Sequence, residues 1–173
     1  MTERLAVKDQ LNINGNNYDR SLIIIELSGK GVIDFTSTDI TEYIQAINYT
    51  ETSTVEEGRV LGSRRASFYG FSGIASEGTL KLIDAGIGKL DEIAREAGLP
   101  SLIWMGQGTV GSRVDITVSY VTYNGLEVID TLQGIFFTSR NNGADVDTAL
   151  QASEATVMIG RIDWGVNTGA TEV

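Results

Sequence analysis

Three features of the 173-residue sequence predict a mainly β fold carrying one helix. Val, Ile, Thr, Tyr, Phe and Trp account for 61 residues, and these types suit a pleated, half-buried surface. Proline occurs once and glycine 20 times, which leaves turns to Gly, Asn and Asp, residues that tolerate positive φ. Helical spacing of apolar residues is clear in one stretch, Ile87 to Ala97.

Taken in order, the Asn-rich stretch Asn12 to Asn17 reads as a turn. Ser21 to Ser28, apolar for most of its length, reads as a buried strand ended by Gly29 and Gly31. Tyr43 to Glu51 alternates as a second strand. Thr52 to Arg65 then loses all periodicity, with Val55, Val60 and Leu61 as its large apolar residues. Fourteen such residues exceed an ordinary connector, so a long loop with a role of its own is expected. Strand character returns at Ala66 to Ile74, where Phe68, Tyr69 and Phe71 cluster, and at Gly78 to Ile83.

The helix places Ile87, Leu90, Ile93, Ala94 and Ala97 on one face and Lys89, Asp91, Glu92, Arg95 and Glu96 on the other, with Gly98 and Pro100 ending it. Ser101 to Met105 reads as a short strand. Arg113 to Tyr123 alternates most strongly: Val114, Ile116, Val118 and Tyr120 face a core, Asp115, Thr117 and Ser119 the opposite side. Asn124-Gly125 predicts a two-residue type I′ turn. Leu126 to Ser139 is then the returning strand, with Gly134 marking a bulge. Ala155 to Trp164 is the last strand, before a loose tail from about residue 165. No repeat or boundary interrupts the pattern, so residues 1–173 read as a single domain.

Composition narrows function by exclusion. The sequence has no cysteine and no histidine, which removes disulfides, thiol nucleophiles, Cys/His zinc sites, imidazole bases and Ser-His-Asp triads. Its 13 basic and 23 acidic residues give a net charge of -10, opposed to tight phosphate binding and suited to a surface past which a nucleic acid slides without sticking. The longest apolar run, Leu22 to Ile25, is far short of a membrane helix, and Met1 to Gln10 lacks the parts of a secretory signal. A soluble chain made in the cytosol is expected.

Individual motifs fail in context. Gly106-Gln107-Gly108-Thr109-Val110-Gly111 satisfies G-x-G-x-x-G, with Asp130 19 residues beyond, yet a strand rather than a helix follows. Ser28-Gly29-Lys30-Gly31 lacks the remainder of a phosphate loop. Glu56 with Glu57 and Asp145 with Asp147 read as solvated charges with no companion ligands. No catalytic residue, metal site or cofactor is expected. Arg59, Arg64 and Arg65 lie beside Glu56 and Glu57 in the long loop, which reads either as an exposed mixed-charge segment or as an arm that pairs with a neighbouring subunit.

The loop Thr54 to Arg65, the segment Gly78-Thr79-Leu80-Lys81-Leu82-Ile83, the single helix and the hairpin Asp115 to Phe137 together resemble the tail tube proteins of contractile-tailed bacteriophages, a family related to type VI secretion and contractile bacteriocin tubes. The similarity spans roughly Tyr43 to Asp163 and lies in layout and length. It implies an antiparallel β-barrel or sandwich with one flanking helix. It also implies a virion structural subunit, made and assembled in the host cytoplasm, forming stacked hexameric rings around a channel for DNA ejection. Sheath, baseplate and tail terminator are the implied partners, and DNA transits without specific binding. Within that layout Val55, Glu56, Glu57, Arg59, Val60, Arg64 and Arg65 form the ring-stacking loop. Asp115, Thr117, Ser119 and Glu127 are candidates to face the lumen, and Phe68, Tyr69 and Phe71 are candidate interface aromatics. A small-ligand β-barrel or an uncommon enzyme is the alternative of another class.

Overall fold

The computed structural model describes residues 10–30, 35–58, 61–62, 68–83, 86–104, 113–142 and 153–165. Its strands are β1 Gln10–Ile13, β2 Asn16–Asp19, β3 Ile24–Lys30, β4 Phe35–Asp39, β5 Ile44–Gly58, β6 Phe68–Leu82, β7 Arg113–Val121, β8 Glu127–Asn142 and β9 Ser153–Asp163. One helix, α1, runs from Gly86 to Glu96. The strands form a single sheet in the order β2-β1-β5-β6-β9-β8-β7-β3-β4. Neighbours pair antiparallel except β1 with β5, which pair in parallel at Asn12 to Ala46 and Ile13 to Ile47.

The sheet is strongly curled. Tyr18 on β2 and Tyr120 on β7 are six strand spacings apart along it, about 29 Å if it were flat. Their ring centroids lie 5.0 Å apart. Tyr123 adds to this seam, 6.1 Å from Tyr18 and donating from its hydroxyl to the Asn17 carbonyl at 3.1 Å. Closure therefore rests on aromatic side chains, with β3 and β4 continuing past the seam. Burial pushes the Tyr120 hydroxyl up to about 12, helped by the nearby Asp130 charge.

Alternation along the strands fills the interior. Leu11, Ile13, Ile47, Leu80, Val157, Ile135, Phe137, Ile116, Val118, Ile25 and Leu27 are all buried, the half-buried pattern read from β7 repeated around the curl. Ile87, Leu90, Ile93 and Ala94 bury the apolar face of α1, as its spacing predicts, and Leu102 in the following 3-10 turn joins the same core. A part-buried ion pair fixes that corner: the buried Asp91 on α1 accepts from the Leu102 backbone N–H at 2.9 Å and pairs with Arg140 on β8.

The mainly β fold with one helix is as the sequence predicts; several details differ for local reasons. The type I′ turn lies at Asn14-Gly15, with φ of 50° and 87°, joining β1 to β2. At Asn124-Gly125 only the glycine has positive φ, and the Gly125 N–H donates to the Thr122 carbonyl at 2.9 Å. That is a type I turn followed by a left-handed glycine, a three-residue hairpin loop. Leu102–Trp104 is a 3-10 turn where a strand was expected. The register shift of β8 falls between Phe137 and Ser139. Gly134, at φ 68°, instead marks where β8 leaves β7.

Candidate functional site

The longest departure from expectation is Thr52 to Arg65. Far from being a loop, it continues β5 as strand through Gly58, paired with β6 and with one register shift between Thr54 and Val55. Leu61 and Gly62 lie in a turn, while Arg59, Val60, Ser63, Arg64 and Arg65 lie outside the described residues. The sequence hid this strand because Thr50 to Glu57 are all exposed. A ribbon wet on both faces has no apolar alternation to read.

This ribbon projects from the body. Beyond Ile47, β5 has lost β1; beyond Ser76, β6 has lost β9. Ser76 faces Glu51, so from Thr52 to Gly58 the two strands pair only with each other among the described residues, over about 23 Å at 3.3 Å per residue. The candidate sets from the sequence meet here: Val55 pairs with Phe71, Glu56 with Gly70, Glu57 with Tyr69 and Gly58 with Phe68. The side chains of Phe68, Tyr69 and Phe71 are outside the description, but their register puts them on the arm and away from the core.

On the face that continues the core, Tyr49 is 2% exposed, whereas Ile74 and Val55 farther out are 61% and 54% exposed. Val55 and Ile74 share that face with Glu51, Ser53 and Ser76, so the arm carries two separate exposed apolar side chains beyond the core. Ordering a residue costs about 1–2 kcal/mol of backbone entropy, a ladder hydrogen bond returns about 1 kcal/mol, and Thr50 to Glu57 bury no side chain in compensation. Two-stranded ribbons alone in water are marginal.

At its root the arm is held firmly. Tyr49 donates its hydroxyl to Asp130 on the inner face of β8, and its N–H donates to Asn14 Oδ1 at 2.8 Å. Desolvation, then the Asp130 hydrogen bond, pushes the Tyr49 hydroxyl far above its ordinary range, so it stays protonated. Opposite Tyr49, Gly78 has no room for a side chain, since a Cβ there would lie 2.8 Å from the Asn48 carbonyl oxygen.

The four lumen candidates divide. Asp115 is 5% exposed, a correction to its expected open position. Where β8 parts from β7, its carboxylate accepts the Gly134 N–H at 3.1 Å and pairs with Arg113 at 3.0 Å, filling the fork. Thr117 and Ser119 are half-buried and Glu127 exposed, with Ser119 Oγ donating to Glu127 at 3.4 Å. These three share the outer face. Sequence reasoning missed Asp130 and Trp164 as structural anchors. The signal for Asp130 was present, a charge at the buried parity between Val128 and Leu132.

No protein-family model matches the chain, and no curated protein matches it by sequence. Solved structures do. A chain of the sixfold-symmetrised baseplate of the anti-feeding prophage gives a TM-score of 0.56 at 12% identity, covering 82% of this chain and 91% of that one. The SPP1 tail tube gives 0.53 at 11% identity, covering 83% and 76%. This chain has the tail-tube fold. The PVC sheath/tube terminator of an extracellular contractile injection system, in its extended state, gives 0.53 at 15% identity, covering 83% and 93%. The β5–β6 arm is the longest two-stranded segment among the described residues.

Proposed function

We propose that the protein is a structural tube subunit, with no catalytic role, which self-assembles into stacked hexameric rings enclosing a channel. The observation that carries this reading is the arm: a ribbon with no third strand beside it among the described residues and with Val55 and Ile74 exposed, features that a second copy completes. Ring closure also shields strand edges in a β-rich chain that has only four lysines to discourage edge pairing. The rival of another class is a small-ligand barrel or an enzyme; among the described residues the inward side chains of this sheet pack against one another.

The finer reading is a phage tail tube through which DNA passes during ejection, in a virion tail assembled in the host cytoplasm; tubes of type VI secretion systems or contractile bacteriocins are its alternatives. Its support is the company the similar chains keep, a baseplate, a tail tube and a sheath/tube terminator, which also makes sheath, baseplate and terminator the partners we propose. A net charge of -10 suits a wall past which DNA slides unbound. Thr117, Ser119 and Glu127 supply polar positions for such a wall, beside the exposed Ile24 and Ile129. Arg59, Arg64 and Arg65, close in sequence to the arm's outer end, supply basic charge to meet acidic groups of the adjoining copy.

Electron microscopy of the purified protein at high concentration tests the reading. Hollow cylinders or stackable rings are expected. Particles of single-chain size at every concentration overturn it.

A further inference from the structure

The root of the arm and the C-terminal end of β9 converge on one buried carboxylate. Asp130 is 2% exposed. Its Oδ2 accepts the Tyr49 hydroxyl, and its Oδ1 accepts the Gly165 N–H at 2.7 Å. Along the sheet β5 and β8 are three strands apart, about 14 Å if flat, so the Tyr49 bond spans the inside of the curl. Trp164 lies against Tyr49 with ring centroids 5.5 Å apart. Gly165 is seated so tightly that a Cβ there would fall 2.5 Å from the Ile129 carbonyl oxygen and 2.6 Å from its nitrogen.

We infer that Asp130 and Gly165 are positioning residues for the arm: seating of the chain after β9 sets the conformation of the arm root, and so sets how readily the arm engages another copy. The inference rests on the assembly role proposed above. Its physical basis is that Tyr49 is the last buried residue of β5 before the exposed stretch begins. Everything beyond it takes its direction from how that ring is held. Asp130 holds its hydroxyl and Trp164 packs near its ring, and Gly165, next to Trp164, donates to the same carboxylate. A buried carboxylate left with one of two donors costs free energy, so release of Gly165 favours rearrangement of Tyr49. Whatever pulls on residues after 165 therefore acts on the arm, although the two are far apart in sequence.

Two variants separate this coupling from general stability. Gly165→Ala cannot keep its seat against Ile129 and leaves the core side chains untouched; Asp130→Asn retains the volume but cannot accept both donors. Amide exchange is followed by NMR on the full-length protein at a concentration where it is unassembled. In both variants, amides from Tyr49 to Ser53 and from Ile74 to Gly78 are expected to exchange at least fivefold faster, while those of Ile25, Leu27 and Val118 stay at wild-type rates. The concentration at half-assembly should rise at least fivefold. Wild-type exchange at the arm root in Gly165→Ala overturns the inference, even if Asp130→Asn is too unstable to study. Absence of assembly by the wild-type protein counts against the tube reading instead, and leaves the exchange comparison to decide the coupling by itself.

Discussion

Replacing Thr54–Gly73 with an Asn-Gly pair should leave a folded protein that no longer forms tubes. Ser53 and Ile74 face each other in register, so a two-residue type I′ connection closes the shortened hairpin without disturbing the strands that feed it. Among the described residues, those buried in the core all lie outside the deleted stretch. Stability should therefore change by less than about 1 kcal/mol, the range for surface changes that touch no core contact. Assembly should fall by at least 100-fold in threshold concentration, about 2.7 kcal/mol per contact, because the deletion removes the flankless ribbon and the exposed Val55 together. Light scattering against concentration reads the threshold, and denaturant unfolding confirms the fold. Tubes of normal length from this variant would place the subunit contacts elsewhere.

The second large effect concerns the corner where α1 meets the sheet. Arg140→Ala should destabilise the protein by about 3 kcal/mol, because it leaves the Asp91 charge buried with its ion-pair partner gone. For a chain of this size that lowers the melting temperature by about 6–12 °C. Asp91→Asn should cost less. The amide oxygen still accepts the Leu102 N–H, and Arg140, whose side chain is 30% exposed against 7% for Asp91, turns to water. Denaturant unfolding of both variants gives the order. A larger loss for Asp91→Asn would contradict the buried-charge explanation.

Elements with one dry face were legible in the sequence, because burial on one side imposes a period. α1 showed its stripe of Ile87, Leu90, Ile93 and Ala94, and β7 its alternation from Val114 to Val118. The arm was illegible for the converse reason. Thr50, Thr52, Thr54 and Val55 have the β-branched character of a strand, but with solvent on both sides no apolar period marks it, and the stretch looked like a loop. Its importance was nonetheless visible in its length and in its Arg and Glu content. Asp115 misled because alternation predicts which side of a strand a residue takes, whereas its burial comes from the parting of β7 and β8, a tertiary event. The Asn-Gly turns were confused by the same limitation. Both pairs permit type I′ geometry, and only Asn14-Gly15 is followed at once by the paired strand that demands it. The convergence of Tyr49, Asp130 and Gly165 joins residues up to 116 positions apart, beyond the reach of any local pattern.

Completion of the arm by other copies is the physical core of this reading, and hydrogen exchange measured on the assembled and unassembled protein addresses it directly. If neighbouring copies cover the ribbon, amides from Thr50 to Gly58 and from Phe68 to Ala75 slow by at least 100-fold on assembly, while those of β3 and β7 change little. Exchange in the arm that stays as fast in large assembled particles as in the single chain would contradict it.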